Sequence, residues 1–185
     1  MLIRRLGPDE LGLLRPLADA SLAGEEALLR IGRTGMTLGY APLPRAEWRV
    51  FPPSPTFAPA AFAINERSAL FAAMDGENFV GVCGVRGTPE GWAEVADIRV
   101  DASCRRQGYG GTMLESCEAC ARQWGMAGLR AACTDTNPVM CQFLEHCGFI
   151  LRGMDSMALA YTEAEREKPL ARRAALLFFY RTLKG

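Results

Sequence analysis

Arg105-Arg106-Gln107-Gly108-Tyr109-Gly110-Gly111 is a basic, glycine-rich run standing between an apolar stretch and an amphipathic one. Glycines lack a Cβ, so the backbone there can approach a ligand closely. The first N–H groups of a helix opening at Gly108 have no intrahelical partner and point outward. A phosphate group placed there gains the helix dipole and the charge of two guanidiniums. The chemistry this predicts is the holding of a phosphate-bearing ligand. The same residues also read as a plain strand-to-helix turn with solvated arginines, and both readings stand at this point. Gly-x-x-x-x-Gly-Lys-Ser/Thr is absent, so this is not a nucleotide-binding P-loop, and Gly-x-Gly-x-x-Gly with a following acid is absent too.

A second block follows at Asp135-Thr136-Asn137-Pro138 and closes on Cys147-Gly148-Phe149. Asn137 before Pro138 is a helix-start signal, and Gly148 is a helix stop. Seven cysteines in a chain without an export signal favour free thiols. Cys117-x-x-Cys120 lies on the apolar stripe of a helix, has no second pair, and His146 is the one histidine, so these cysteines read as small core residues and no metal is expected.

The elements that must carry these blocks follow from the pattern. The chain has 185 residues, one ordinary domain over 1–185, and 49% of them are hydrophobic, enough for a substantial core. Lys+Arg and Asp+Glu both number 21, which argues against a nucleic-acid or membrane-surface partner. No apolar run reaches the roughly 18 residues of a membrane helix. The first ten residues lack an apolar signal core, so the expected location is cytoplasmic.

Residues 2–6 read as an edge strand. Pro8, Asp9 and Glu10 open a helix whose apolar spacing runs to Leu22, kinked or split at Pro16. Glu25 to Ile31 reads as a short helix. Tyr40 to Ala61 holds Pro42, Pro44, Pro52, Pro53, Pro55 and Pro59 and reads as a loop, interrupted at most by a strand near Trp48–Phe51. Phe57 and Phe62 either line a pocket there or pin the loop. Strands are expected at Ala69–Ala73, Phe79–Arg86 and Trp92–Val100, as an antiparallel meander. Then come a helix over 108–124, a strand at 129–134, a helix over 138–146, and strands at Phe149–Arg152, Ser156–Ala160 and Ala174–Tyr180, with a loop or helix over Thr162–Pro169. Strands first, then β-α-β-α-β, implies an α+β chain: a mixed sheet with helices on both faces.

Arg105-x-x-Gly108-x-Gly110 resembles the acetyl-CoA pyrophosphate loop of the GNAT superfamily of N-acetyltransferases. Asn137 with Phe143…Gly148-Phe149 resembles that superfamily's second block, and together they cover roughly residues 70–152. Asp135-Thr136-Asn137, Met154-Asp155-Ser156-Met157 and Leu176-Leu177-Phe178-Phe179-Tyr180 are similar to the streptothricin acetyltransferase branch, which acetylates the β-lysine amine of those antibiotics.

The resemblance implies a mostly antiparallel sheet of about seven strands and acetyl-CoA as co-substrate. Ile98, Arg99 and Val100 would pair their backbone with the pantetheine arm. Arg105, Arg106, Gln107, Gly108, Tyr109, Gly110, Gly111 and Thr112 would surround the pyrophosphate, with Asn137 near the thioester. Strand 129–134 would splay from strand 95–100. The chain departs from the family at Leu144, where most members carry the Tyr that protonates the leaving thiolate. A thiol has a pKa of about 8.5 and leaves without a strong acid; water or Cys147 would serve. It departs again at Ala96, where the branch commonly has Glu.

The amine acceptor must lose a proton before it attacks, because an alkylammonium has a pKa of about 10.4. Asp97 is the candidate base or ammonium binder, its alternative being a structural pair with an arginine. Glu94 is placed on the opposite strand face by alternation. Asp155 and Asp135 are weaker readers of acceptor charge, and His146 reads as a helix-end residue facing the dipole. The expected activity is acetyl transfer to a primary amine of a small cationic acceptor, such as an antibiotic. Its alternatives are a polyamine, amino-acid or protein amine, or a non-catalytic acyl-CoA-binding module. A homodimer through the apolar end strand stands beside burial of Phe178 and Phe179 in the core.

Overall fold

The computed structural model describes residues 1–33, 35–51, 57–169 and 173–183. Its elements are β1 (Leu2–Leu6), a 3-10 turn at Pro8–Leu13, β2 (Ala20–Gly32), β3 (Gly35–Val50), α1 (Pro59–Ile64), β4 (Ser68–Asp75) and β5 (Asn78–Gly87). They continue with β6 (Ala93–Val100), a 3-10 turn at Ala102–Cys104, α2 (Tyr109–Gln123), β7 (Gly128–Thr134), α3 (Pro138–His146), β8 (Ile150–Asp155) and β9 (Leu176–Thr182). The seven-stranded sheet has the order β1-β4-β5-β6-β7-β9-β8, and β2 and β3 form a separate two-stranded sheet. This is the expected mixed, mostly antiparallel architecture. No described helix is long and apolar enough to cross a membrane.

The chain folds as two compact units: residues 1–20, 50–130 and 182–185 in one, residues 21–49 and 131–181 in the other. In the first, β1, β4, β5 and β6 are antiparallel neighbours, with β1 at the edge as read from sequence. One face of this sheet buries Leu6, Leu70, Ala72, Met74 and Val82 against Leu11, Leu13, Leu14 and Leu17 and against Phe62 of α1. The other face packs on α2, whose Met113, Leu114, Cys117, Cys120 and Ala121 are buried. Glu118 points away and pairs with Arg122 one turn on, at 2.9 Å. The seven cysteines are free thiols. Cys83 of β5 and Cys117 of α2 meet at 3.4 Å as a buried thiol pair.

In the second unit, β8 and β9 pair antiparallel, from Ile150 opposite Tyr180 to Asp155 opposite Leu176. Leu177 and Phe179 are fully buried. The apolar end strand therefore lies inside its sheet, between β7 and β8, and those two side chains belong to the core. α3 buries Pro138, Cys141 and Leu144. It ends as Gly148 requires: Gly148 turns at φ 80°, its N–H reaches the Glu145 carbonyl at 2.9 Å, and the Phe149 N–H reaches that of Leu144 at 3.0 Å. The pair of bonds satisfies carbonyls that the helix end would otherwise leave open.

Four sequence expectations need correction. The helix from Pro8 stops after six residues, with Leu14 already extended (φ −65°, ψ 134°), because Pro16 disfavours helical geometry at Arg15. Glu25–Ile31 is strand, not helix, within β2. All of 40–50 is strand as well, the larger part of the 16-residue β3. Pro42 and Pro44 are tolerated because residues two apart in a strand direct their missing N–H groups to the same edge. Finally, 156–160 forms bends after β8 rather than a strand. The α1 helix, with Pro59 in its first turn, replaces part of the expected loop; Pro52, Pro53 and Pro55 lie outside the described residues.

Candidate active site

β6 carries the acid proposed for chemistry, and its pairing with β5 is irregular where that acid sits. Asp97 pairs with Gly84, but Val85 pairs with Val95, so Ala96 is one extra residue opposite β5. Such a bulge bends the strand and resets which face its side chains take. Gly84 and Arg86 are two apart on β5 and share a face; their partners are Asp97 and Glu94. Strict alternation had put Glu94 opposite Asp97. The bulge puts both on one face.

The two acids are used differently there. Glu94 accepts from Arg86 Nε at 2.7 Å and from an Arg130 guanidinium nitrogen at 2.9 Å, one partner per oxygen. Asp97 accepts one guanidinium bond, from Arg99 Nε at 2.9 Å, and its side chain is only 11% exposed. Arg99 also approaches Asp19 Oδ2 at 3.8 Å. Burial pushes the Asp97 carboxyl above the ordinary aspartate value; Arg99 pulls against that shift, and Asp19 adds to it. Phe57 and Phe62 pack as a ring pair with centroids 5.2 Å apart. A Cβ at Gly84 would lie 2.4 Å from the Phe57 ring, so glycine is required where that ring rests on β5 beside Asp97. Of the two roles read for these phenylalanines, packing is the one seen: both belong to the core cluster of this face.

From Val100 the chain enters the expected cradle. Asp101 organises it: Oδ1 accepts from the Ser103 N–H (3.0 Å) and hydroxyl (2.6 Å), and Oδ2 accepts from the Ala18 N–H at 2.9 Å. The Ser103 hydroxyl, then those backbone donors, hold its carboxyl below the usual value. Arg105 Nε donates to the Val100 carbonyl at 3.0 Å, and a terminal nitrogen donates to that of Ala20 at 2.7 Å. Its guanidinium thus ties the loop to the start of β2. Arg106 adopts φ 63°, an uncommon left-handed conformation for a side-chain-bearing residue. Gly108 follows at φ 92° as the N-cap of α2, with no side chain capping the helix. Gln107 Nε2 donates to the Ser103 carbonyl at 3.3 Å, and Thr112 Oγ1 to that of Gly108 at 3.2 Å. Tyr109 is buried, a side chain of the helix core. An uncapped helix start beside exposed Arg106 suits an anion such as a diphosphate.

In the second unit the polar side chains of the second block serve the backbone. Asn137 Oδ1 caps α3 through the Met140 N–H at 3.0 Å. Asp135 Oδ1 accepts from the Ala175 N–H at 3.0 Å, and burial pushes its carboxyl up. Asp155 Oδ1 accepts from the N–H groups of Met157 (2.8 Å) and Ala158 (2.9 Å), closing the turn after β8. Leu144 is fully buried. Cys147 is half-buried, and burial pushes its thiol up. Tyr40 of β3 donates to Glu145 Oε2 at 2.5 Å, and burial first, that carboxylate second, pushes its phenol up.

Sequence reasoning missed three of these residues. Asp101 carried a readable signal, an Asp two residues before a Ser at a strand end. Asp19 and Tyr40 carried none, because both were assigned to the wrong local structure.

Comparison with known proteins bears on the family and the fold. A family profile described as acetyltransferase (GNAT) family matches residues 39–149. No curated protein sequence matches significantly. Among solved structures, one described as a streptothricin acetyltransferase from Bacillus anthracis str. Ames, in complex with acetyl coenzyme A, superposes with a TM-score of 0.84 at 18% identity, covering 98% of this chain and 99% of that one. A nourseothricin acetyltransferase gives 0.77 at 19% identity, covering 99% and 98%. A GNAT family acetyltransferase from Elizabethkingia anophelis with acetyl-CoA bound gives 0.55 at 14% identity, covering 63% and 77%.

Proposed function

We propose, from the premise that this chain belongs to the acetyltransferase (GNAT) family, that it transfers an acetyl group from acetyl-CoA to a primary amine of a small cationic acceptor, and that Asp97 takes the amine's proton. The observation that carries this reading is the placing of Asp97. The carboxylate is largely shielded from solvent, is held by Arg99, and stands on the strand that leads into the uncapped start of α2.

Acetyl-CoA supplies the activated acyl carbonyl. The remaining work falls to side chains and backbone. The α2 amides at Gly108–Gly111, with Arg106 and Gln107, would hold the pyrophosphate. Arg105 would act indirectly, keeping the loop in shape through the Val100 and Ala20 carbonyls. Ile98, Arg99 and Val100 of β6 would offer backbone groups to the pantetheine arm. Asp97 would draw the acceptor ammonium by charge and then accept a proton from its nitrogen, leaving the lone pair free to attack. A carboxyl with a raised pKa is a better base for this than an ordinary aspartate. The leaving sulfur would be protonated by water; the alternative donor, Cys147, is made a weaker acid than an ordinary thiol by its burial. Asn137 would act chiefly by fixing the start of α3. Asp155 would meet acceptor charge only through Oδ2, which makes it a weaker contributor.

Streptothricin-type antibiotics are the acceptors to try first, since the two neighbours that cover 98% and 99% of the chain are described as a streptothricin and a nourseothricin acetyltransferase. The test is mass spectrometry of streptothricin, polyamines and lysine peptides after incubation with enzyme and acetyl-CoA. Gain of one acetyl group on the streptothricin amine supports the narrow reading. Acetylation of another amine alone keeps the reaction and replaces the acceptor.

A further inference from the structure

We infer that Arg99 and Asp19 are a positioning pair for Asp97: Arg99 fixes the carboxylate's orientation and keeps it ionised, while Asp19 divides the arginine's charge and leaves the cluster one negative charge for an alkylammonium to fill. The inference rests on the proposed role of Asp97 as proton acceptor.

Three placements carry it. Asp97 and Arg99 are two residues apart on β6, in regular register with Gly84 and Val82 of β5, so they share one face of the strand. Arg99 then meets Asp97 through Nε at 2.9 Å and Asp19 through a terminal nitrogen at 3.8 Å. The three side chains are between 11% and 25% exposed, so their interaction is only partly screened. Two carboxylates around one guanidinium sum to one uncompensated negative charge. A neutral acceptor would leave that charge unpaired; a primary ammonium would complete it.

The charged groups that act on Asp97 are Arg99 on β6 and Asp19 ahead of β2, and the Ile98 N–H also donates to it. Glu94 shares its face but is paired with Arg86 and Arg130, and the Cys83 thiol lies on the other face of β5, against Cys117. Removing Arg99 deletes the largest influence that favours the charged carboxylate, so the Asp97 midpoint must rise. Removing the Asp19 charge deletes a repulsion, so the midpoint must fall. A purely structural ion pair would shift the midpoint in the same directions, so the readout that marks a positioning role is an acid limb of kcat that moves with each shift.

The test is a carboxyl-carbon NMR titration of Asp97 in the free protein, assigned with Asp97→Asn, for wild type, Arg99→Gln, Arg99→Lys and Asp19→Asn, paired with the pH dependence of kcat. Arg99→Gln should raise the midpoint by about one pH unit or more, Arg99→Lys should restore most of the wild-type value, and Asp19→Asn should lower it. The acid limb of kcat should follow each shift. Should Arg99→Gln fail to fold, Asp19→Asn alone decides the sign. An Asp97 midpoint unmoved by both substitutions overturns the positioning pair even if Asp97→Asn abolishes turnover. Midpoints that shift as stated while kcat ignores Asp97 uphold the cluster and overturn the base assignment instead.

Discussion

The strand-to-helix passage Ala93–Thr112 and the helix-to-strand passage Asp135–Asp155 both carry aspartates, yet they commit them differently. In the second passage Asp135 and Asp155 accept from backbone N–H groups. Those bonds are fixed by the fold and cannot be lent to a substrate without opening a turn. In the first passage Asp101 is committed in the same way, but Asp97, among the described residues, is held by a side-chain guanidinium and the Ile98 N–H. A carboxylate answered mainly by a side chain can take another partner, or a proton, while the backbone stays as it is. What already holds an aspartate sets whether it is available to another partner, and burial alone does not: Asp135 is pushed up by burial as Asp97 is.

The comparison breaks most visibly at the cradle. Gly110→Asp adds bulk and a negative charge in the first turn of α2. An acid there suits the helix dipole, so folding should survive, while acetyl-CoA affinity by calorimetry should fall about 100-fold or more, a loss on the order of 3 kcal/mol. Normal affinity would show that the uncapped helix start holds no pyrophosphate. Next is Gly84→Ala, which drives a methyl into the Phe57 ring. Overpacking of this kind costs about 1–3 kcal/mol, readable in denaturant unfolding, and should disturb Asp97 next door; an unchanged midpoint of unfolding would mean that the ring moves freely. Asp155→Ala should cost about 1 kcal/mol of stability, as loss of a backbone cap does, with acceptor KM changed less than about threefold, under 1 kcal/mol. A larger KM effect would erase the distinction between the two passages.

The smallest effect carries a sign. The Asp97 pKa is raised in the folded chain above its ordinary value of 3.8. Folding therefore favours its protonated form, and the stability it contributes is lost as pH rises from that value through the folded midpoint. Asp97→Asn should consequently lose less stability than wild type between pH 4 and 7. A steeper loss in the variant would mean that the Arg99 pair outweighs burial.

Much of this was legible in the chain, for physical reasons. The meander over 69–100 is built of short apolar runs punctuated by Asp75-Gly76 and Gly87…Gly91, so its strands were legible, with Asp97 on the last of them. The bulge was not, because Ala96 carries no glycine or proline to mark it, and without it Glu94 went to the wrong face. The ribbon over 20–50 was misread because the doublets Glu25-Glu26 and Leu28-Leu29 imitate helical spacing, although Leu22, Leu28, Ala23 and Leu29 alternate exposure as a strand demands. Pro42 and Pro44 looked like breakers when their two-residue spacing suits an edge. Asp19 is beyond reach of local reasoning, since only tertiary folding brings it to Arg99.

The most direct test of the central claim is thiol release from acetyl-CoA by wild type and Asp97→Asn, each saturated with a cationic primary amine and followed across pH. The account predicts a wild-type rate that climbs as Asp97 ionises and a variant slowed by about 10²–10³-fold, within the usual range for a lost general base, with acetyl-CoA affinity intact. A variant that turns over at the wild-type rate would contradict it, and the proton would have to leave the amine by another route.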